Sequence, residues 1–439
     1  MKSIFSNNEN NIAGCPKTVI ALFLSSLLVG CSSDDDSDNS GANHDEHSDI
    51  HVETKGRLAL LDSAENAVKI IDIDSAEMLQ VFPLSGEAPR LYSSPDYRYV
   101  AAVQRSDNTV SFVDSGLFTE DHGDHLHDYT EIPSILGFTL GEVKPTHFTV
   151  SGEYAVVFND GGDGVTSSVS VITDTSIGEG VPVASLELTN NMHGVGEIIG
   201  DKLFVTYRDS SIIDTTLPAE VERYHFDGDN FVFETRYTEQ CPLLHGAGSN
   251  EDYVVFGCGD GVLAISLNAS NYPATKLDNP ESITGDNRIG SIYSHHNVRD
   301  LVGTARGHDQ LFIIDPASNT PFSELAMPNG AQRVTQGFDV GGENFYILTN
   351  DGSLHLYDPV DNWRLTATIN VMDALAEDDV TPVVTSSVSE NRLFVLIPSS
   401  KNVVEIDLDA GTNLGSMNIG FDASRMVWLG LLVHDKSNH

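Results

Sequence analysis

Basic residues are scarce in this chain: 23 Lys and Arg stand against 65 Asp and Glu over 439 residues, giving a formal charge of −42. A surface of that sign repels phosphate backbones, so nucleic acid is excluded as a partner. Long apolar runs are missing too. The one continuous stretch, "TVIALFLSSLLV" from Thr18, has about twelve residues and is too short to span a bilayer as a mature helix. Helical periodicity is rare, and "VMDALAED" at Val371 is the one short candidate. No HExxH, GxSxG, Walker or helix-opening GxGxxG motif occurs, which removes the zincin, serine-hydrolase, P-loop and dinucleotide-binding signatures. Cysteine is limited to four residues.

Those few cysteines fit an exported protein. Lys2 and Lys17 precede the apolar run, as in a signal peptide. The run ends in "LVGC" at Cys31, which resembles a bacterial lipobox, so residues 1–30 are expected to be removed and Cys31 to carry lipid. An ordinary signal peptide with an incidental cysteine is the alternative. Ser32 and Ser33 follow in place of aspartate, which points to the outer membrane and a periplasmic, lipid-anchored protein. Residues 31–56 are acidic with little apolar content and read as a disordered tether in which His44, His47 and His51 are solvated. Cys15 leaves with the signal peptide, and Cys241 and Cys258 remain. They flank a turn-like "GSNED"; folded as a hairpin, the segment sets them opposite each other, which permits a disulfide in an oxidising compartment. A thiolate metal pair is the alternative.

From residue 57 onward one unit recurs. Strands such as "NAVKIIDID", "NTVSFVDSG", "GVLAISLN" and "GSLHLYDPV" return at intervals of roughly 40 to 60 residues, most of them preceded by a second strand such as "YRYVAAV" or "NRLFVLI". Short strands at this period predict an all-β protein: a single β-propeller over 57–439 with four-stranded antiparallel blades, eight in number, with seven as the alternative. The paired strands read as the middle two of each blade, and the chain is expected to be a monomer.

Inner strands of a propeller converge on a central channel, and histidines recur at their starts. "KPTHFTVSGEYAVVF" gives His147, "NNMHGVGEIIGDKLFVTY" gives His193 and "CPLLHGAGSNEDYVVF" gives His245. A single such histidine would read as a satisfied core residue; three at matched repeat positions predict a metal site. Upstream, "TEDHGDHLHDY" places His122, His125 and His127 among Asp121, Asp124 and Asp128. Imidazole with carboxylate suits zinc, although ligand type alone does not separate zinc from copper or nickel. This loop is expected just before the His147 strand, at the same mouth, as a flexible collector above a rigid holding site. His295 and His296 are secondary candidates nearer the turn after their inner strand, with His308 beyond them. His225 and His355 read as structural, His434 and His439 as tail residues. The runs "NDGGDG" at Asn159 and "FDGDN" at Phe226 read as hairpin turns in preference to calcium loops. Because imidazole must be neutral to bind, metal affinity is expected to fall as pH drops through about 6 to 7.

The segments "DHGDHLHDY", "KPTHFTVSGEYAVVFNDGGDG", "MHGVGE", "CPLLHGAGSNEDYVVFGCGDGVL" and "GSIYSHH" together resemble the AztD-type periplasmic zinc metallochaperones. The resemblance implies a zinc-binding, non-enzymatic propeller that delivers zinc to the solute-binding protein of a zinc ABC importer. The lipobox departs from that pattern, whose members are soluble. Two rivals remain: a metal-dependent propeller enzyme (hydrolase, lactonase or quinoprotein-like dehydrogenase), and a surface-anchored interaction scaffold.

Overall fold

Each repeated strand pair lies at the centre of a four-stranded antiparallel sheet, and eight such sheets occur. The computed structural model describes residues 49–432 except 124, 163, 285–286, 306–307 and 329. The signal peptide, Cys31, the tether up to residue 48, Asp124, His434 and His439 therefore lie outside the described residues. Blade 1 is closed by both ends of the chain: its inner strand, Ala423–Leu429, pairs with Arg57–Asp62. The inner strands of blades 2 to 8 are Arg90–Ser93, Pro145–Ser151, Gly196–Ile199, Ala247–Ser249, Ile289–Tyr293, Arg333–Phe338 and Val383–Ser387.

The strands are apolar on both sides because both faces of every sheet are buried. Successive residues of one strand serve different neighbours: Leu58 and Leu60 pack with Phe394 and Leu396 of blade 8, while Ala59 and Leu61 pack with Leu91 and Val100 of blade 2. One buried cluster fills each of the eight gaps between blades. Burying one such side chain contributes about 1.5–3 kcal/mol, so the ring is held mainly by its interfaces. At the closure Trp428, 1% exposed, donates its indole N–H to the Lys55 carbonyl at 2.8 Å and so ties the last strand to the first.

In each blade the inner strand starts on the face where the second strand ends. In blade 3, Pro145 pairs with Asn159 and Ser151 with Tyr154. The starts of all inner strands thus share one mouth, and connections between third and fourth strands emerge on the opposite face.

Three expectations change on this frame. The histidine-rich segment is a β-hairpin, Leu117–Asp121 with Leu126–Thr130, inserted between the third strand of blade 2, Thr109–Asp114, and its fourth, Ser134–Leu140. It leaves from Asp114, which pairs with Tyr99 at the end remote from Arg90, and so stands on the face opposite the His147 mouth. The fourth strand "SILGFTL" alternates too weakly to be recognised from sequence, and missing it put the hairpin at the wrong end. Second, residues 49–52, assigned to the tether, dock on this hairpin: Ile50 donates to the Leu126 carbonyl at 2.9 Å and accepts from the Asp128 N–H at 2.8 Å. Backbone groups left open along the Leu126–Thr130 strand provide that edge. Third, Val371–Asp378 forms turns in place of a helix, because the Val371 and Leu375 amides donate to Gly352 and Asn350. The described α-helix is Asp174–Glu179, begun by a capping box between Thr173 and Ser176.

Candidate metal centre

His147 follows Pro145 across a bulge at the start of the blade 3 inner strand. His193 and His245 sit just ahead of the inner strands of blades 4 and 5 and are fixed by their backbones: the His193 N–H donates to Thr216 O and that of His245 to Gly257 O, both at 2.9 Å. Neighbouring blades then bring the rings together. The Nε2 atoms of His147 and His193 are 3.4 Å apart, and those of His193 and His245 are 3.3 Å apart. One ligand nitrogen from each lies within 4.8 Å of the others, the one group of its kind among the described residues.

The far side of two rings sets their tautomers. His245 Nδ1 lies 2.7 Å from the Gly290 carbonyl, which can only accept, so Nδ1 carries the proton and Nε2 offers its lone pair. His193 Nδ1 is 2.9 Å from Asp160 Oδ2, which also accepts from Arg105 Nη2 at 2.7 Å. Burial pushes the Asp160 carboxyl up, but the bonds and charges of His193 and Arg105 outweigh it and keep the group ionised. A carboxylate behind a ligating imidazole fixes the ring and raises its basicity toward metal. Asp160 and Arg105 were not singled out from sequence, where "NDGGDG" read as a turn; nothing local distinguishes a turn aspartate from one that faces the next blade's histidine.

Burial, followed by the neighbouring His193 and His245, holds the His147 pKa down at about 4. Burial also lowers that of His245, with the His193 and Arg288 charges acting in the same direction. His147 is therefore neutral, in the metal-binding form, well below the pH of 6 to 7 expected for free histidine, and His245 shifts in the same direction. Three imidazole donors suit a zinc-type cation and leave a fourth coordination position open.

Outside this centre the predicted residues separate. On the hairpin, His122, His125 and His127 bring their ring centroids to 4.6–5.3 Å, so this second cluster does exist. Asp121 accepts from the Gly123 amide at 2.6 Å in the turn, where Gly123 has a φ of +89° that disfavours a side chain. Asp128 is not poised as a ligand: its oxygens accept from Thr119 Oγ1 at 2.7 Å and from the Val52 amide at 3.0 Å, and His51 lies 3.5 Å away. His295 lies apart from the trio and has other partners. Its Nε2 meets the Val340 carbonyl at 2.7 Å and its Nδ1 accepts from the Asn297 amide at 3.2 Å; it stacks on His296 after the end of its inner strand, on the far face. His308 contacts Asn287, and His355 is buried between Thr349 and Thr368 hydroxyls, in keeping with a structural role.

Cys241 and Cys258 form a disulfide, with Cα atoms 4.8 Å apart. The hairpin around Asn250 forms as expected, although Cys241 precedes its first strand, and the bridge pins the segment that carries His245 to the end of Tyr253–Cys258. Closing a loop of 17 residues is worth about 3 kcal/mol. A Cys241→Ser/Cys258→Ser protein should lose stability of that order in urea unfolding, and its zinc affinity should fall on the order of tenfold as His245 loosens. Unchanged zinc affinity would mean that the backbone bonds of His245 suffice.

The depressed His147 pKa has its own signature. Above pH 6.5 it contributes nothing; as pH falls toward 4 the unfolded chain takes a proton that the folded one refuses, so stability declines. Between pH 7 and 4.5 this should cost about 2–3 kcal/mol in metal-free protein, and His147→Gln should remove that component. Parallel pH profiles for the two proteins would refute the assignment.

No family model matches the chain. Over 363 residues, 81% of this chain and 82% of the relative, it is 22% identical to the zinc chaperone AztD of Citrobacter koseri. The crystal structure of that AztD aligns with a TM-score of 0.71 at 22% identity, covering 86% of this chain and 99% of the other. The apo form gives 0.70 at 21% identity with the same coverage. The dihydro-heme d1 dehydrogenase NirN in complex with DHE gives 0.58 at 13%, over 86% and 76% of the two chains. The eight-bladed propeller is thus shared, and the resemblance to AztD read from the motifs extends over most of the chain.

Proposed function

We propose that this protein is a zinc carrier, a metallochaperone that holds zinc through His147, His193 and His245 at the channel mouth. The observation that carries this reading is the convergence of three imidazole Nε2 atoms from three blades, two of them with the opposite nitrogen anchored. Similarity to a zinc chaperone supports the choice of metal. His122, His125 and His127, whose rings cluster on the other face, form a separate site for zinc that does not pass metal directly to the channel. We place the protein in the periplasm, anchored by lipid on Cys31 to the outer membrane and monomeric, with the solute-binding protein of a zinc ABC importer as recipient. A metal-dependent enzyme has less support, because the carboxylate nearest the trio, Asp160, is engaged with His193 and Arg105.

Zinc titration of the mature protein tests the reading. His193→Ala should weaken the tightest site by at least the roughly 10–100-fold seen on losing an outer-shell partner, whereas a variant with His122, His125 and His127 all changed to Ala should retain it. Zinc should then pass from the loaded protein to the metal-free solute-binding protein faster than it dissociates into a chelator. Transfer no faster than dissociation would contradict a delivery role.

A further inference from the structure

The mouth that presents the three histidines also gathers positive charge, against the character of a chain with 23 basic and 65 acidic residues. Arg90 opens the inner strand of blade 2, Arg288 immediately precedes that of blade 6, Arg333 opens that of blade 7, and Arg425 lies near the start of that of blade 1. They occupy, in other blades, the level that the histidines occupy in blades 3, 4 and 5. Arg90 is exposed at this level, and its charge is close enough to bear on His147, on Arg425 and on Tyr293 of blade 6. Arg288 bears on His245 from the other side.

Arg105, behind His193 at the same mouth, is neutralised by Asp160, and elsewhere Arg98, Arg236 and Arg392 each hold a carboxylate within 4 Å. Arg90, Arg333 and Arg425 make no ion pair among the described residues. Arg425 donates instead to the Pro89 carbonyl at 2.7 Å and the Ser424 carbonyl at 2.6 Å, and Arg333 to Gln336 Oε1 at 2.8 Å. Guanidinium groups set beside one another, and beside a site for a divalent cation, repel both each other and the cargo. An anion between them removes both penalties, and a carboxylate has the right shape: one oxygen can take the open fourth position on a three-histidine metal while the other accepts from a guanidinium fork.

We propose that the channel mouth is a composite site in which a small carboxylate anion completes the coordination of the metal held by His147, His193 and His245 and is bound by Arg90, with Arg288 and Arg425 flanking it. This rests on the metal reading above. Imidazole donors bring no negative charge to balance the cation, and a carboxylate would supply it. Metal and anion would then bind with positive coupling, each raising the affinity of the other by the same factor.

Cobalt(II) makes the test direct, since its visible ligand-field bands report a change of coordination. The mature protein, loaded with cobalt, is titrated with acetate and with malonate at constant ionic strength, using perchlorate as the balancing salt. The expected result is a saturable change in the bands; Arg90→Gln should weaken the apparent carboxylate affinity by about tenfold or more, the loss of one good charge-assisted bond. Arg90→Lys should fall between the two. Arg90 is exposed, so these variants test the charge without opening the core. Bands that ignore carboxylate, or an equal carboxylate affinity in Arg90→Gln, would overturn the proposal while leaving the metal site intact. If His193→Ala gave the same cobalt spectrum as the wild type, the metal reading itself would fall, and this inference with it.

Discussion

Burial of both faces of every sheet is the constraint on which this molecule depends. A strand whose alternate residues are both apolar is stable only between two neighbours, and Leu58 with Ala59 shows how one strand serves two gaps. Repeated eight times, that requirement leaves no outer face to bury and closes the ring. Closure in turn fixes the starts of the inner strands around one channel. The histidine cluster follows from this, because His147, His193 and His245 need only occupy equivalent places in adjacent blades for their rings to meet.

The electrostatics of the mouth then depart from those of the surface. Acidic residues dominate the chain, yet His147 is kept neutral by burial and its imidazole neighbours, and a single buried carboxylate, Asp160, anchors His193 from behind. Asp160 Oδ1 is buried and has no partner among the described residues, so the group spends its hydrogen bonds through Oδ2 alone, on His193 and Arg105. This arrangement favours a cation at the Nε2 side without placing a carboxylate in the first coordination sphere. The hairpin cluster is built differently: its three histidines lie on a two-stranded ribbon braced by the Phe118–Tyr129 stack and by Arg98 over Phe118, with Ile50 added along one edge. Two clusters of three histidines thus occupy opposite faces of one ring.

Most of this was legible in the sequence where a signal repeats. The middle strands of the blades are continuous apolar runs, and each lies where the pattern put it, as do the three channel histidines that precede them. What the sequence withheld was non-repeating or non-local. The outer strand Ser134–Leu140 carries exposed residues and gives little periodic signal, so the hairpin before it was attached to the wrong mouth. Asp128 resembles a ligand in "HLHDY", but a strand bridge from Ile50 and Val52 occupies it. Asp160 and the Gly290 carbonyl act across blade boundaries, where spacing along the chain carries no information. His295 stands apart from the trio, as its register suggested: it lies past the end of its inner strand and both ring nitrogens have partners.

The central claim is that three imidazole Nε2 atoms at the channel mouth, and no carboxylate of this chain, hold the metal. A crystal structure of the protein loaded with one equivalent of zinc tests it most directly. The account predicts zinc bound by Nε2 of His147, His193 and His245 at about 2.0–2.1 Å, with Asp160 still on His193 Nδ1 and outside coordination distance. Zinc found first on the His122, His125 and His127 hairpin, with the channel trio empty, would contradict it.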